Sequence, residues 1–230
     1  MTTLTELLTL CRNTLGDLTG GSYEWADAQL TAWINEALKD MSIHFPVQTE
    51  MEISCAAGVH EYDVTKFVIA GILSCEYPAG QDPREYLLRK SYTDPAFWIN
   101  DGYYDYLPRT TTDTSHPSQL YISNSPTGAS QSIILEILEP HNALVLGVDV
   151  TTLPDQLHHL LTLFVRWKAW QEMATGEGVS PDPNRILQDE YEINAFRAER
   201  AYRKSLDETK KTQSTTALVP LWMDKYDRIY

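Results

Sequence analysis

Apolar residues along this chain change their spacing twice, and that double change limits what the chain can fold into. Leu4, Leu7, Leu8, Cys11, Leu15 and Leu18 recur at the helical interval, with Gly16 and the pair Gly20-Gly21 as stop signals. The spacing predicts an amphipathic helix of about four turns. Ser22 is a candidate N-cap for a second helix, in which Ala26, Leu30, Trp33, Ile34, Ala37, Leu38 and Met41 form a stripe that ends at Pro46.

From Val47 to about Ala143 the spacing shortens to β-rich runs separated by Gly, Pro, Asn and Asp. In "MEISCAAGVHEYDV", Ala57-Gly58 predicts the centre of a hairpin, with Met51, Ile53 and Cys55 alternating on one arm and Val59, Tyr62 and Val64 on the other. Further strands are expected in "FVIAGILSCEY", "EYLLRKS", "SQLYISN" and "SIILEILE", as in a small antiparallel sandwich or curled sheet. Residues 93–118, rich in aromatics, read as a long irregular surface loop or interface arm.

After Pro154 the helical interval returns. Leu157, Leu160, Leu161, Phe164, Trp167 and Trp170 mark a helix to about Thr175, which "GEGVSPDP" breaks. Asp182 as N-cap and Pro183 at the first helical position open a last helix, about 183–209, with Leu187, Tyr191, Ala198, Tyr202 and Leu206 in one track. "KKTQSTT" reads as a polar linker to an aromatic tail.

The fold class is therefore α+β: a four-helix bundle interrupted by an antiparallel β-sheet or sandwich insertion, with an extended C-terminal tail. The expected division is a helical hairpin at 1–46, a β-rich insertion at 47–150, a helical pair at 151–211 and a partner-binding tail at 212–230.

Charge narrows the function. The 230 residues carry a net charge of −14, and residues 1–150 hold seven Lys or Arg against twenty Asp or Glu. A surface so poor in cations does not grip phosphates, so contact with DNA is expected to be passing. Cys11, Cys55 and Cys75 are an odd set without a close pair, which reads as reduced hydrophobes. No run approaches the roughly 20 apolar residues of a membrane span, and Glu6 and Arg12 interrupt the apolar N-terminus, so neither a signal peptide nor a membrane partner is expected.

No motif calls for catalysis, a metal or a cofactor. The six histidines form no HExxH and no ligand spacing with cysteine, and the chain has neither a glycine-flanked Ser nucleophile nor a phosphate-binding glycine loop. Trp25 with Trp33, and Trp167 with Trp170, read as core packing, and Asn35 as a hydrogen-bond donor to a loop within the bundle. Asp101 and Asp105 stand among tyrosines, a pattern also found on sugar-binding surfaces. One reading is thus a carbohydrate-binding module on a helical mount, with Trp98, Tyr103, Tyr104 and Tyr106 as stacking residues. The other makes the same rings a protein interface, where Tyr and Trp combine apolar area with a polar tip.

Taken in order, "LLTLCRNTLGD", "WADAQLTAWINEAL", "AAGVHEYDV", "LPDQLHHLLTLFVRWKAWQ" and "DEYEINAFRAERAYRKSL" resemble the head-to-tail adaptor, or connector, proteins of tailed bacteriophages. The resemblance spans roughly residues 4 to 206. It departs from the family's tighter proline-flanked strand pair at "HPSQLYISNSPTGASQSIILEIL", and the aromatic loop before that is enlarged. It implies a structural virion protein of the neck, made in the host cytoplasm. Twelve copies would form a homo-oligomeric ring that joins the portal protein to a tail, nozzle or tail-terminator protein and lets DNA pass through its lumen. A tail-completion protein lower in the neck fits the same features. The resemblance also implies a C-terminal segment that reaches the portal, with Val219, Leu221, Trp222, Met223, Tyr226, Ile229 and Tyr230 as its partner-binding residues. Trp98, Tyr103, Tyr104 and Tyr106 would meet the tail side. Docking of the terminal segment on its own subunit is the alternative, and the polar spacer favours reach.

Overall fold

A computed structural model describes residues 2–17, 24–108, 117–124, 126–127, 131–175 and 185–216. In chain order its elements are α1 (Leu4–Leu15), α2 (Asp27–His44), β1 (Val47–Ser54), β2 (Glu61–Asp63), β3 (Gly71–Glu76), β4 (Leu88–Arg89), α3 (Pro95–Ile99), β5 (Tyr103–Leu107), β6 (Gln119–Ile122), β7 (Ser132–Glu139), α4 (His158–Thr175) and α5 (Arg185–Thr216). The chain is α+β and divides into two units: Met1–His44 with His141–Tyr230, and Phe45–Pro140.

In the helical unit, Thr3 and Glu6 form a reciprocal capping box that starts α1: the Glu6 amide donates to Thr3 Oγ1 (3.3 Å) and the Thr3 amide to Glu6 Oε2 (2.8 Å). Gly16, at φ 77°, ends the helix in the left-handed conformation that glycine adopts freely. The helix is therefore 12 residues long and stops short of Leu18. Arg12 is buried at its last turn and reaches Asp17 Oδ2 (2.5 Å), Asp27 Oδ1 (2.6 Å) and the Trp25 carbonyl (2.9 Å), fixing the end of α1 to the start of α2. The second helix begins at Asp27, and the proposed cap Ser22 lies outside the described residues, as do Asp182 and Pro183.

Helix α4 is the hub of this unit and packs against α1, α2 and α5. Leu160, Leu161, Phe164, Val165 and Ala169 are buried along it, facing Leu7 and Cys11 of α1, Leu30, Ile34, Leu38 and Met41 of α2, and Ala198, Tyr202 and Leu206 of α5 as the buried apolar residues of the partner helices. Trp25 meets Trp33 edge-on at 5.2 Å, and Trp167 stacks on Tyr202 at 6.3 Å, so these indoles are packing residues as expected. Asn35 does hold a loop: its side chain donates to the Leu144 carbonyl and accepts from the Leu144 amide, each at 2.8 Å.

Helix α5 is 32 residues long and runs through "KKTQSTT" to Thr216, which corrects the reading of that stretch as a linker. Lys and Gln are good helix formers, and no Gly or Pro intervenes before Pro220, so polarity alone does not stop the helix.

The second unit contains two sheets. One has the order β1-β7-β3 and is antiparallel; the other has the order β2-β6-β5-β4, with a parallel pair only at β4 and β5. Ile133, Leu135 and Ile137 alternate into a core shared with Met51, Cys75, Tyr104, Leu120 and Ile122. Two sequence expectations are corrected here. The arms around Ala57-Gly58 do not pair with each other: β1 pairs with β7 over Val47↔Glu139 to Ser54↔Ser132, whereas β2 pairs with β6. Alternation assigns a residue to a face but does not choose the partner strand, and eight matched pairs with β7 outweigh a short hairpin. Nor is 93–118 irregular throughout. It contains α3, capped by Asp94 and opened by Pro95, and the strand β5 between β4 and β6; residues 109–116 lie outside the described ones.

Candidate functional site

Groups that carry chemistry are few. Among the described residues no cluster of His, Cys, Asp and Glu is placed to hold a metal ion, and no helix is long and apolar enough to cross a membrane. All three thiols are buried. Burial pushes Cys11 up to about 12 and raises Cys55 and Cys75 as well, so none is a thiolate near neutral pH. What the chain displays instead is surface.

The aromatic segment 92–107 is built on β5. Because side chains of a strand alternate, Tyr104 and Tyr106 enter the shared core and are buried, and desolvation raises the Tyr104 hydroxyl pKa. Tyr103 is half-buried, with Lys90 Nζ 4.9 Å from its ring centre. Helix α3 anchors itself through Phe97, which is fully buried, and presents Trp98 and Ile99 outward. Trp98 is 50% exposed yet held in place: its Nε1 donates to the Tyr92 carbonyl at 2.8 Å, and its ring meets Phe97 at 4.9 Å and His60 at 5.9 Å. Tyr92 in turn stacks on Tyr121 at 4.5 Å. Beneath them, the buried Asp105 accepts from the Tyr92 amide at 3.0 Å and lies 3.9 Å from Arg89 Nε. The four rings singled out from the sequence thus do not form one platform. Trp98 is outside, Tyr103 is partly covered, and Tyr104 and Tyr106 are inside.

In the helical unit, a groove of about 400 Å³ runs along α2, α4 and α5, lined by Asp40, Ile43, His44, Trp167 and Arg203 among others. Two apolar patches of this unit escaped the sequence reading. One is the turn at Val145, Leu146 and Val148; the other is Ile193 and Phe196 on the face of α5 away from the Tyr202 track. Val145, Leu146 and Val148 fall within the 47–150 insertion but in none of the strands expected there, and Ile193 and Phe196 fall outside the one track counted along the last helix. A second pass at the interval of three or four along that helix would have found them. The terminal residues Val219, Leu221, Trp222, Met223, Tyr226, Ile229 and Tyr230 lie outside the described residues.

The arrangement, two units that each present exposed aromatic or apolar residues, can bind other macromolecules. No curated protein matches the chain. A family model described as SU10 adaptor protein matches residues 2–221, taking in the helices on both sides and the sheets between them in sequence. The chain therefore belongs to the SU10 adaptor protein family, a family of phage head-to-tail adaptors that are structural components of the virion.

Proposed function

We propose that this protein is a joint of the phage neck, a ring of twelve copies that seats on the portal, receives a tail or nozzle protein and lets DNA pass through its lumen. The family match over residues 2–221 carries this reading. It is supported by two groups of apolar residues. The exposed Trp98 and Ile99 on α3 are suited to the tail-side partner, and the aromatic composition of 217–230 to the portal, where each buried Trp or Tyr can contribute about 150 to 250 Å² of contact. The charge of −14 suits a conduit that does not hold DNA, since phosphate finds few cations to bind.

Imaging by negative stain tests the reading. Purified protein mixed with its portal is expected to form a coaxial twelvefold layer on the portal. Particles without added density would overturn it, and density only at the far end of an assembled neck would assign the protein to tail completion.

A further inference from the structure

Two exposed apolar patches of the helical unit carry opposite charge around them. The first is the turn in which Val145, Leu146 and Val148 are 76%, 61% and 77% exposed. Apolar side chains this open usually sit on loose loops, but here the backbone beneath them is pinned from several directions. Asp149 Oδ2 accepts from the amides of Val145 and Leu146, each at 2.7 Å. The carbonyls of Asp149 and Gly147 accept from the amides of Leu4 (2.9 Å) and Thr5 (3.2 Å), and Asn35 grips Leu144 from the other side. A Cβ at Gly147 would come within 2.8 Å of Thr5 Oγ1, so this close approach needs glycine. The turn is shaped before any partner arrives, which lowers the entropy lost on docking.

The charges around the turn are acidic. Asp149 pins the turn itself, Glu6 caps the neighbouring α1, and Asp155 accepts from Thr2 at 3.0 Å. No Lys or Arg occurs in 2–11 or 141–157.

The second patch is on α5. Ile193 is 49% and Phe196 65% exposed, and with Arg197 and Arg200 they follow the helical interval of one face. The opposite face, at Ala198, Tyr202 and Leu206, is the buried one. Glu190 and Glu192 stand at the N-terminal end of the stripe and Arg197 and Arg200 at its C-terminal end, where neither arginine makes an ion pair among the described residues. This patch is apolar with a basic C-terminal end.

One copy cannot join its own two patches. The turn is held by the Leu4 and Thr5 amides at the start of α1, and Thr2 beside them donates to Asp155, just ahead of α4, at 3.0 Å. The stripe begins beside the other end, where Tyr191 meets Trp170 at 5.9 Å. His158 and Trp170 are separated by about 18 Å of helix. A second copy of the chain supplies the missing half of each patch, with matching apolar area and opposite charge.

We propose that the Val145–Val148 turn of one copy docks on the Ile193–Phe196 stripe of the next, with Arg197 and Arg200 toward the carboxylates of the turn. This inference rests on the ring reading and names the surfaces that would build it. A contact between unlike patches is head-to-tail, and it closes into a ring when the rotation between copies allows. A few side chains make each contact weak on its own, and repetition around a closed ring strengthens the whole.

Complementation tests the pairing. Leu146→Asp with Val148→Asp removes the turn surface, and Ile193→Asp with Phe196→Asp removes the stripe; all four side chains are exposed, so circular-dichroism melting should match the wild type. In sedimentation experiments the wild-type chain is expected to associate as its concentration rises, each double variant to do so roughly tenfold or more weakly, and an equimolar mixture of the two variants to form dimers and nothing larger. The mixture is decisive, because each variant retains the half that the other lacks. A wild-type chain that stays monomeric throughout, variants that associate like wild type, or a mixture that remains monomeric would overturn the pairing. Twelvefold layers formed on the portal by both double variants would likewise overturn it while leaving the ring reading intact, whereas the absence of such layers with the wild-type chain counts against the ring itself.

Discussion

Tyr202 on α5 donates its hydroxyl hydrogen to the Asp40 carboxylate on α2, so the longest helix is tied by a polar contact to α2 across the groove that the two helices line together with α4. The same ring stacks on Trp167 and meets Phe164 edge-on at 5.3 Å. Burial, and then the adjacent Asp40 carboxylate, raise the Tyr202 pKa, which keeps the hydroxyl protonated and a donor around neutral pH. Tyr202→Phe is expected to cost about 1.5 to 3 kcal/mol, the worth of one hydrogen bond to a charged acceptor. Tyr202→Ala, which also empties the stack, should cost about 3 to 5 kcal/mol. Urea denaturation of both variants measures the two increments; equal losses would mean that the bond, and not the stack, holds α5.

Arg12 offers a sharper case. Its guanidinium serves Asp17, Asp27 and the Trp25 carbonyl at once, and Asp17 also accepts from the Glu24 amide at 2.9 Å. Arg12→Leu would leave the buried Asp17 without its cation and is expected to cost about 3 to 5 kcal/mol. Arg12→Lys should recover only part of this, because an ammonium cannot reproduce the fork of donors. Thermal melting of the two variants checks the order.

Acid should loosen the capped segments first. The Leu146 and then the Val145 amide hold the Asp149 carboxyl below its usual range, the Thr3 amide and hydroxyl do so for Glu6, and the Ala96 amide for Asp94. Each folded pKa is thus lower than the unfolded one. The stabilisation is complete above the ordinary carboxylate value of about 4 and is lost as pH falls through the lower folded values. Melting temperature should therefore be flat near neutrality and fall below about pH 4. In Asp149→Asn that acid decline should be shallower; an unchanged decline would show that the turn does not contribute to it.

Aromatic residues of the β unit separate what the sequence makes legible from what it does not. The α+β class, the helical stripes and the inward phase of Met51 and Cys55 could be read from spacing, because burial leaves a period in the chain. Strand partners could not, since a period carries no information about which strand lies alongside. The same ambiguity governs Trp98, Tyr103, Tyr104 and Tyr106: composition marks them as a group, and only the pairing of β5 decides that Tyr104 and Tyr106 turn inward while α3 holds Trp98 out.

That division can be measured. Tyr104→Ala is expected to destabilise the protein by about 3 to 5 kcal/mol, the range for emptying a buried aromatic site. Trp98→Ala loses one hydrogen bond and partial packing, about 1 to 2 kcal/mol, but is expected to weaken binding of the tail-side partner. Denaturation and pull-down of the tail protein from phage lysate report the two effects separately. Full retention of tail binding by Trp98→Ala would remove α3 from the interface.

The terminal segment gives the last test. It begins beyond Thr216, where α5 has already carried the chain along a helix of about 48 Å, and it contains Trp222, Tyr226 and Tyr230 within nine positions. Apolar rings at that density need a cover, either on their own subunit or on the portal. Covering them on the portal would bury these rings upon assembly, and the aromatic burial would offset the entropy lost in the contact. Deleting residues 217–230 is accordingly expected to abolish portal binding while leaving the melting temperature of the free protein unchanged. A destabilised free protein with portal binding intact would instead mean that the segment completes its own subunit, and that the grip on the portal comes from the helices.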